Sequence, residues 1–256
     1  MNLKFILPII VAVIFFGVWG CLAFINTDLN VLPGPIATWK ALWADRGALF
    51  AALGVDTAAM LLGFFLAVTL GVLTSIALMT YQGLRLAFAP WVTILRMAPI
   101  ITLAPIAIIA PVSSFVSVLI VTMLACFFPV VYVATPALMA TDKPLLDLFT
   151  TYRASYWQEI TMLRLPHALP QLLTAIKRAA IYAPMAAIVT DYLAGLMMKK
   201  PGLGQLLGQY IDAQNYAGVT ALCILAALTG VVMAGTVHAI SYWTLMHWHD
   251  NEHGHA

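Results

Sequence analysis

Charge is what this sequence most lacks: 9% of its 256 residues are Asp, Glu, Lys or Arg, where a soluble domain carries about 25%. The usual polar coat is therefore missing, and with 63% hydrophobic residues the chain cannot hide its apolar surface from water. Lipid is the solvent that fits. Cysteine is also sparse. Cys21, Cys126 and Cys223 lie inside apolar runs without metal-ligand spacing, which predicts three buried thiols, no disulfide and no metal site. A net charge of +2 spread along the loops excludes the concentrated basic patch that a nucleic-acid partner needs. No Gly-x-x-x-x-Gly-Lys-Ser/Thr phosphate loop occurs, so the chain is not expected to hydrolyse ATP itself. His-Glu-x-x-His and Gly-x-Ser-x-Gly are missing too, which argues against an intramembrane enzyme.

What the chain has instead is a series of uncharged runs near the roughly 20 residues that cross a bilayer as helix. They are apolar all round, whereas a membrane β-barrel alternates apolar with polar. The expected fold is an all-α polytopic membrane protein of about six transmembrane helices, forming one domain over 1–256. The first span follows Lys4 and runs from Phe5 to Ile25, too long for the apolar core of a cleaved signal and without a small-x-small site after it. Trp39, Leu42 and Trp43 then recur at helical spacing, as in a short helix on the membrane surface. Spans are expected at 57–80, 91–111, about 115–140, 174–193 and 219–243, with a polar, glycine-rich loop over 199–215. Gly63, Ala67 and Gly71 form a small-xxx-small stripe in the second.

Lys and Arg near span ends set orientation, because cytoplasmic loops carry the excess. With both termini inside, Lys4, Arg85, Arg96, Lys143, Arg153, Arg164, Lys177 and Arg178 fall on the cytoplasmic side, against Lys40, Arg46, Lys199 and Lys200 outside. This places the long interval 141–169 in the cytoplasm. No inverted or parallel repeat is visible, which weighs against many secondary carriers. An ion-coupled carrier also wants deep ionisable groups, and Asp56 and Asp191 are thin support for one.

That interval contains Leu145, Leu146, Asp147, Leu148, Phe149, Arg153, Ala154 and Ser155, and ends Leu163-Arg164-Leu165-Pro166. It resembles the coupling loop of binding-protein-dependent (type I) ABC importer permeases: Glu-Ala-Ala, three residues, Gly, nine residues, Ile-x-Leu-Pro. Asp147 stands at the Glu, Arg153 at the Gly, Leu163 at the Ile, and Leu165-Pro166 at the Leu-Pro. Leu148 and Phe149 replace two alanines. Arg153 replaces a glycine that often takes a turn closed to other residues. The wider chain is similar to the nitrate, sulfonate and pyrimidine-precursor branch, through Val31-Leu32-Pro33-Gly34-Pro35, Gly63-Phe64, Phe127-Phe128-Pro129-Val130 and Gly202-Leu203-Gly204.

The resemblance implies the type I permease fold and a homodimer in the bacterial inner membrane. It implies a cytosolic ABC ATPase that binds ATP and Mg, and a periplasmic or lipid-anchored solute-binding protein. The solute expected is a pyrimidine-type vitamin precursor, riboflavin, or a sulfonate- or nitrate-like anion. Physically, 145–157 reads as two short helices that either seat in an ATPase groove or lie on lipid headgroups. Met97, Pro99, Phe128, Tyr182, Asp191 and Tyr192 are the candidate solute path. Asp191 is a functional candidate as an ionisable group near membrane depth, or a hydrated structural residue. Tyr182 and Tyr192 offer ring faces to a flat heterocycle, or anchor the chain at the interface. Lys177 and Arg178 are expected to snorkel to headgroups. The His-rich tail lacks metal-ligand spacing and is expected to be disordered.

Overall fold

The computed structural model describes residues 3–25, 32–97, 113–195 and 202–253. Helix is the only regular structure among them. Helix α1 spans Leu3–Ile25, α2 Pro35–Ala44, α3 Arg46–Thr80 and α4 Gln82–Met97. After the undescribed 98–112 come α5 (Ser114–Met139), α6 (Lys143–Thr151) and α7 (Tyr156–Glu159). A π-helical segment, Ile160–Arg164, feeds α8 (Leu165–Gly195), followed by α9 (Leu203–Asp212) and α10 (Tyr216–His253).

Helices 46–80, 114–139, 156–194 and 216–246 are long and apolar enough to cross a membrane, and 10–25 is a shorter apolar helix. The expected third span begins in α4, but its proline-rich part, with Pro99, Pro105 and Pro111, lies outside the described residues. The chain is an all-α, multi-span membrane protein.

Helix α5 is the central plank, packed on α3 along one side and α8 along the other. The stripe Gly63, Ala67, Gly71 is buried and explains how close α3 comes. A Cβ on Gly63 would lie 2.7 Å from the Leu119 carbonyl, and one on Gly71 2.8 Å from Val130 Cγ1. On α8 the same role falls to Ala175, Ala179, Ala180, Ala183, Ala186 and Ala187, all buried. Where both solvent and partner are apolar, such close van der Waals packing is what holds helices together.

Helices α5 and α8 run antiparallel, which gives the bundle two distinct ends. At one, Ser114 Oγ donates to Asp191; at the other, Arg164 donates to the Leu138 carbonyl.

Four expectations are corrected. The second span starts at Arg46, not at 57, because Leu49 and Ala52 continue the buried stripe. The polar interval 199–215 contains a helix, α9, whose Leu203, Leu206 and Tyr210 pack on Leu49, Ala52, Leu222 and Leu225. Cys21 and Cys223 are exposed on the chain's outer surface, and Cys126 alone is buried, its thiol against the Ala179 carbonyl. An apolar run in lipid has no obligatory inside face, so position within a run does not imply burial. Lastly, helix α10 runs on to His253, so the tail is helical that far.

Candidate functional site

At the end where α3 and α5 finish, residues 141–166 build a projecting surface. Helix α6 begins with Pro144 in its first turn, where its missing N–H costs nothing. Its side chains are largely uncovered: Leu145, Asp147 and Leu148 are exposed, Leu146 and Phe149 half-buried. The helix is stopped by a Schellman turn. The Arg153 N–H donates to the Thr150 carbonyl, and the Ala154 N–H to the Phe149 carbonyl. Arg153 occupies the left-handed position, with φ 52°. The turn that usually wants glycine is thus made here by arginine, at a strain cost of roughly 1–2 kcal/mol.

Ser155 then caps α7 in a reciprocal box with Gln158: the Gln158 N–H donates to Ser155 Oγ (3.3 Å) and the Ser155 N–H to Gln158 Oε1 (2.7 Å). Tyr156, on α7, pairs its hydroxyl with that of Thr80 at the end of α3. Glu159 and Arg164 form an ion pair at 2.6 Å, and Arg164 also donates to the Leu138 carbonyl at 3.2 Å. Residues five apart on an α-helix point about 140° away from each other. The π segment between these two, with its i→i+5 hydrogen bonding, brings them together. Leu165 packs against Ala134, Leu138 and Leu172, and Pro166 beside it is half-buried. The projecting surface is therefore tied to α3, α5 and α8 together. Sequence reading found the motif but missed these ties, and the Glu159/Arg164 spacing signals nothing unless the π turn is known.

The opposite end is built from buried acids. Asp56 on α3 and Asp191 on α8 are 4% and 2% exposed. Asp56 Oδ2 accepts from the Leu203 N–H (2.8 Å), and Asp191 Oδ2 from the Gln205 N–H (2.9 Å). Asp191 Oδ1 takes the Ser114 hydroxyl at 2.9 Å. Helix α9 has no cap of its own, since its N-cap is Gly202. Two carboxylates from two different spans satisfy its first-turn N–H groups and face its positive dipole end. Gly202 is there for close approach: a Cβ would come within 2.5 Å of both Asp56 and Asp191. Gly204 is equally confined, 2.6 Å from the Ile188 carbonyl by the same construction. A cavity of about 70 Å³ beside the acids is lined by Val55, Asp56, Ser113, Ser114, Phe115 and Asp191, among others.

The far end of α9 is held as well. Tyr210 donates its hydroxyl to Asp45 Oδ2 at 2.8 Å, and burial, reinforced by that carboxylate, raises the phenol above its ordinary pKa. A second Schellman turn closes α9, with Gln214 at φ 52°.

Asp191 is thus buried and hydrogen-bonded to two other elements of the chain. The remaining path candidates do not gather around it. Tyr182, 43% exposed, sits nine residues earlier on α8, roughly 13 Å along the axis. Met97 is exposed at the end of α4, Phe128 is half-buried edge-on to Phe127, and Pro99 lies outside the described residues. Tyr192 is half-buried beside Asp191. Tyr182 belongs instead to a stripe along α8, with His167, Gln171, Thr174, Arg178 and Met185, that is exposed among the described residues. No group of three metal-ligating side chains occurs among the described residues.

The chain matches the family model for the binding-protein-dependent transport system inner membrane component over residues 59–243. It is 26% identical over 216 residues to the formylaminopyrimidine transport permease protein ThiX of Halalkalibacterium halodurans, covering 84% of this chain and 85% of that one. It is 23% identical over 208 residues to a "Probable ABC transporter permease protein" of Haemophilus influenzae, covering 81% and 83%. Among solved structures it is similar in fold to a chain of the MetNI methionine ABC transporter in an inward-facing conformation. The TM-score there is 0.63 at 17% identity, over 78% of this chain and 97% of that chain.

Proposed function

The chain belongs to the family of binding-protein-dependent transport system inner membrane components, and we propose that it couples to its ATPase through the segment 141–169. It is a membrane permease subunit of an ABC-type importer, not itself catalytic. Hydrolysis of ATP, with its Mg, belongs to the partner chain. The reading of 141–169 rests chiefly on one observation: α6, α7 and the turn between them expose Leu145, Leu148, Tyr152 and Trp157 at one end of the bundle, on a segment braced to α3, α5 and α8. Apolar anchors in a polar rim, here Asp147 and Arg153, are the usual anatomy of a protein interface. A helix that merely lay on headgroups would not need three ties to the transmembrane core.

The whole of 1–256 acts as one permease domain in this reading, with the α6–α7 end and both termini in the cytoplasm. Two copies form the transporter. The uncovered stripe on α8 supports that arrangement, because Gln171, Thr174 and Arg178 are poor lipid-facing residues and good walls for a water-filled path between two chains. Tyr182 then belongs to that path, while Asp56 and Asp191 act at its outer end as the latch on α9. A solute-binding protein delivers the cargo from outside. A pyrimidine-type vitamin precursor is the solute we favour, supported by the similarity to a formylaminopyrimidine permease; riboflavin and a sulfonate- or nitrate-like anion are the alternatives, and ligand screening of the cognate binding protein separates them.

The coupling assignment is tested on Leu148, whose side chain is exposed in the chain alone. Leu148→Asp places a carboxylate into the desolvated contact without disturbing the permease core. Co-purification with the ATPase is expected to fall at least tenfold, with transport falling alongside. Wild-type association and transport would remove this segment from the interface.

A further inference from the structure

A second polar feature lies at the α6–α7 end, away from the coupling surface. Helix α4 crosses the last turns of α3 and α5 and leaves a groove of about 320 Å³, within the range of ligand sites. Its walls are mainly apolar, among them Leu78, Ala89, Val92, Val131 and Met139. Two groups in it are out of keeping with an apolar wall. Arg85 stands five residues past the end of α3, and among the described residues its guanidinium donates only to the Met139 sulfur (3.1 Å), a weak acceptor. Among the described residues no carboxylate pairs with it; the one ion pair there is Glu159 with Arg164. Thr135 also lines the groove, is 9% exposed, and its hydroxyl has no hydrogen-bond partner among the described residues. A buried hydroxyl left unpaired is unfavourable and invites a partner.

We propose that this groove binds an anionic phospholipid, the phosphate on Arg85, an ester oxygen on Thr135 and an acyl chain along the apolar walls. The spacing suits it. Thr135 is four residues before Met139 on α5, so it lies one helical turn, about 6 Å, deeper than the sulfur that Arg85 touches. That is the order in which phosphate and ester follow one another into a bilayer. The approach suits it too. The outer surface of α4 exposes Leu84, Leu86, Phe88, Trp91 and Ile94, a lipid-facing set, with Tyr81 exposed at its start as an interfacial aromatic. Basic pockets between transmembrane helices are recurrent sites for acidic headgroups.

The test is native mass spectrometry of the purified full-length chain titrated with phosphatidylglycerol and with phosphatidylcholine of the same acyl chains. The wild type is expected to retain phosphatidylglycerol about fivefold better, the size of one basic contact at a headgroup. Arg85→Gln should erase that preference and Arg85→Lys should keep most of it. Ala89→Trp, which fills the groove and leaves the guanidinium, should lower retention of both lipids. Equal retention of the two lipids by the wild type, or a preference that survives Arg85→Gln, overturns the proposal. So does complete displacement by inorganic phosphate, which would make the site one for a free anion. Efficient cross-linking of Thr93→Cys between two chains in phosphatidylglycerol nanodiscs would assign the groove to a second copy and overturn it likewise.

Discussion

The two ends of this bundle solve opposite problems with the same local device. At the α6–α7 end and at the end of α9, a short helix is closed by a Schellman turn whose left-handed position is held by a residue other than glycine, Arg153 in one case and Gln214 in the other. Around that shared device everything differs. Helix α6 has no fully buried residue, and its ties to the core run through the segment that follows it. Helix α9 buries Leu203, Gly204, Leu206 and Tyr210 and is fastened at both termini by carboxylates from other elements. The contrast separates a helix whose side chains stay uncovered, as the proposed coupling role requires, from one whose polar termini are satisfied inside the chain.

The hardest blow to this contrast is Gly202→Val. The new side chain would collide with both carboxylates, and the purified permease is expected to lose about 3 kcal/mol in thermal unfolding. Asp147→Val at the open end should leave the midpoint where it is, within about 0.5 kcal/mol. Equal effects at the two ends would dissolve the distinction. Asp191→Ala comes next. It orphans the Ser114 hydroxyl and the Gln205 N–H, for an expected loss of roughly 2 kcal/mol. Uptake should fall while co-purification with the ATPase persists, and a loss of co-purification would mean that the two ends are not independent.

The smallest effects are the most discriminating. Arg153→Gly and Gln214→Gly each relieve a left-handed non-glycine residue, and each should stabilise its turn by about 1 kcal/mol, read as slower local hydrogen exchange. If Arg153 contacts the ATPase, Arg153→Gly alone should also lower stimulated ATP turnover. Identical turnover in the two variants would make Arg153 a bystander that merely tolerates its φ.

Periodicity and composition carried the sequence a long way: the helical spans, the stripe Gly63, Ala67, Gly71 and the spacing from Asp147 to Pro166 all have local signatures. The acid latch has none. Asp56 and Asp191 lie in different spans and meet only because α3, α5 and α8 pack as they do. Helix α9 had a readable signal in Leu203, Leu206, Leu207 and Tyr210, masked by Gly202, Gly204 and Gly208, whose usual meaning is a loop. Two of those glycines are there because carboxylate and backbone come so near. Asp191 was legible as an ionisable group near membrane depth but not as buried, because hydropathy near the end of a span does not say whether water or another helix lies beside it.

The π turn at Ile160–Arg164 sets a constraint of phase. It slips one surplus residue into the ladder between α7 and α8, so the direction in which α6 and α7 point is offset by one residue's rotation, about 100°, from where an unbroken α-helix would aim them. The segment is loop-like in exposure but helix-like in bookkeeping of angle. An exposed connection ordinarily absorbs insertions and deletions; here a single residue removed between Glu159 and Leu165 would unpair Arg164 and swing α6 and α7 around the axis of α8. The fixed interval from Asp147 to Pro166 is, in this sense, a measure of azimuth.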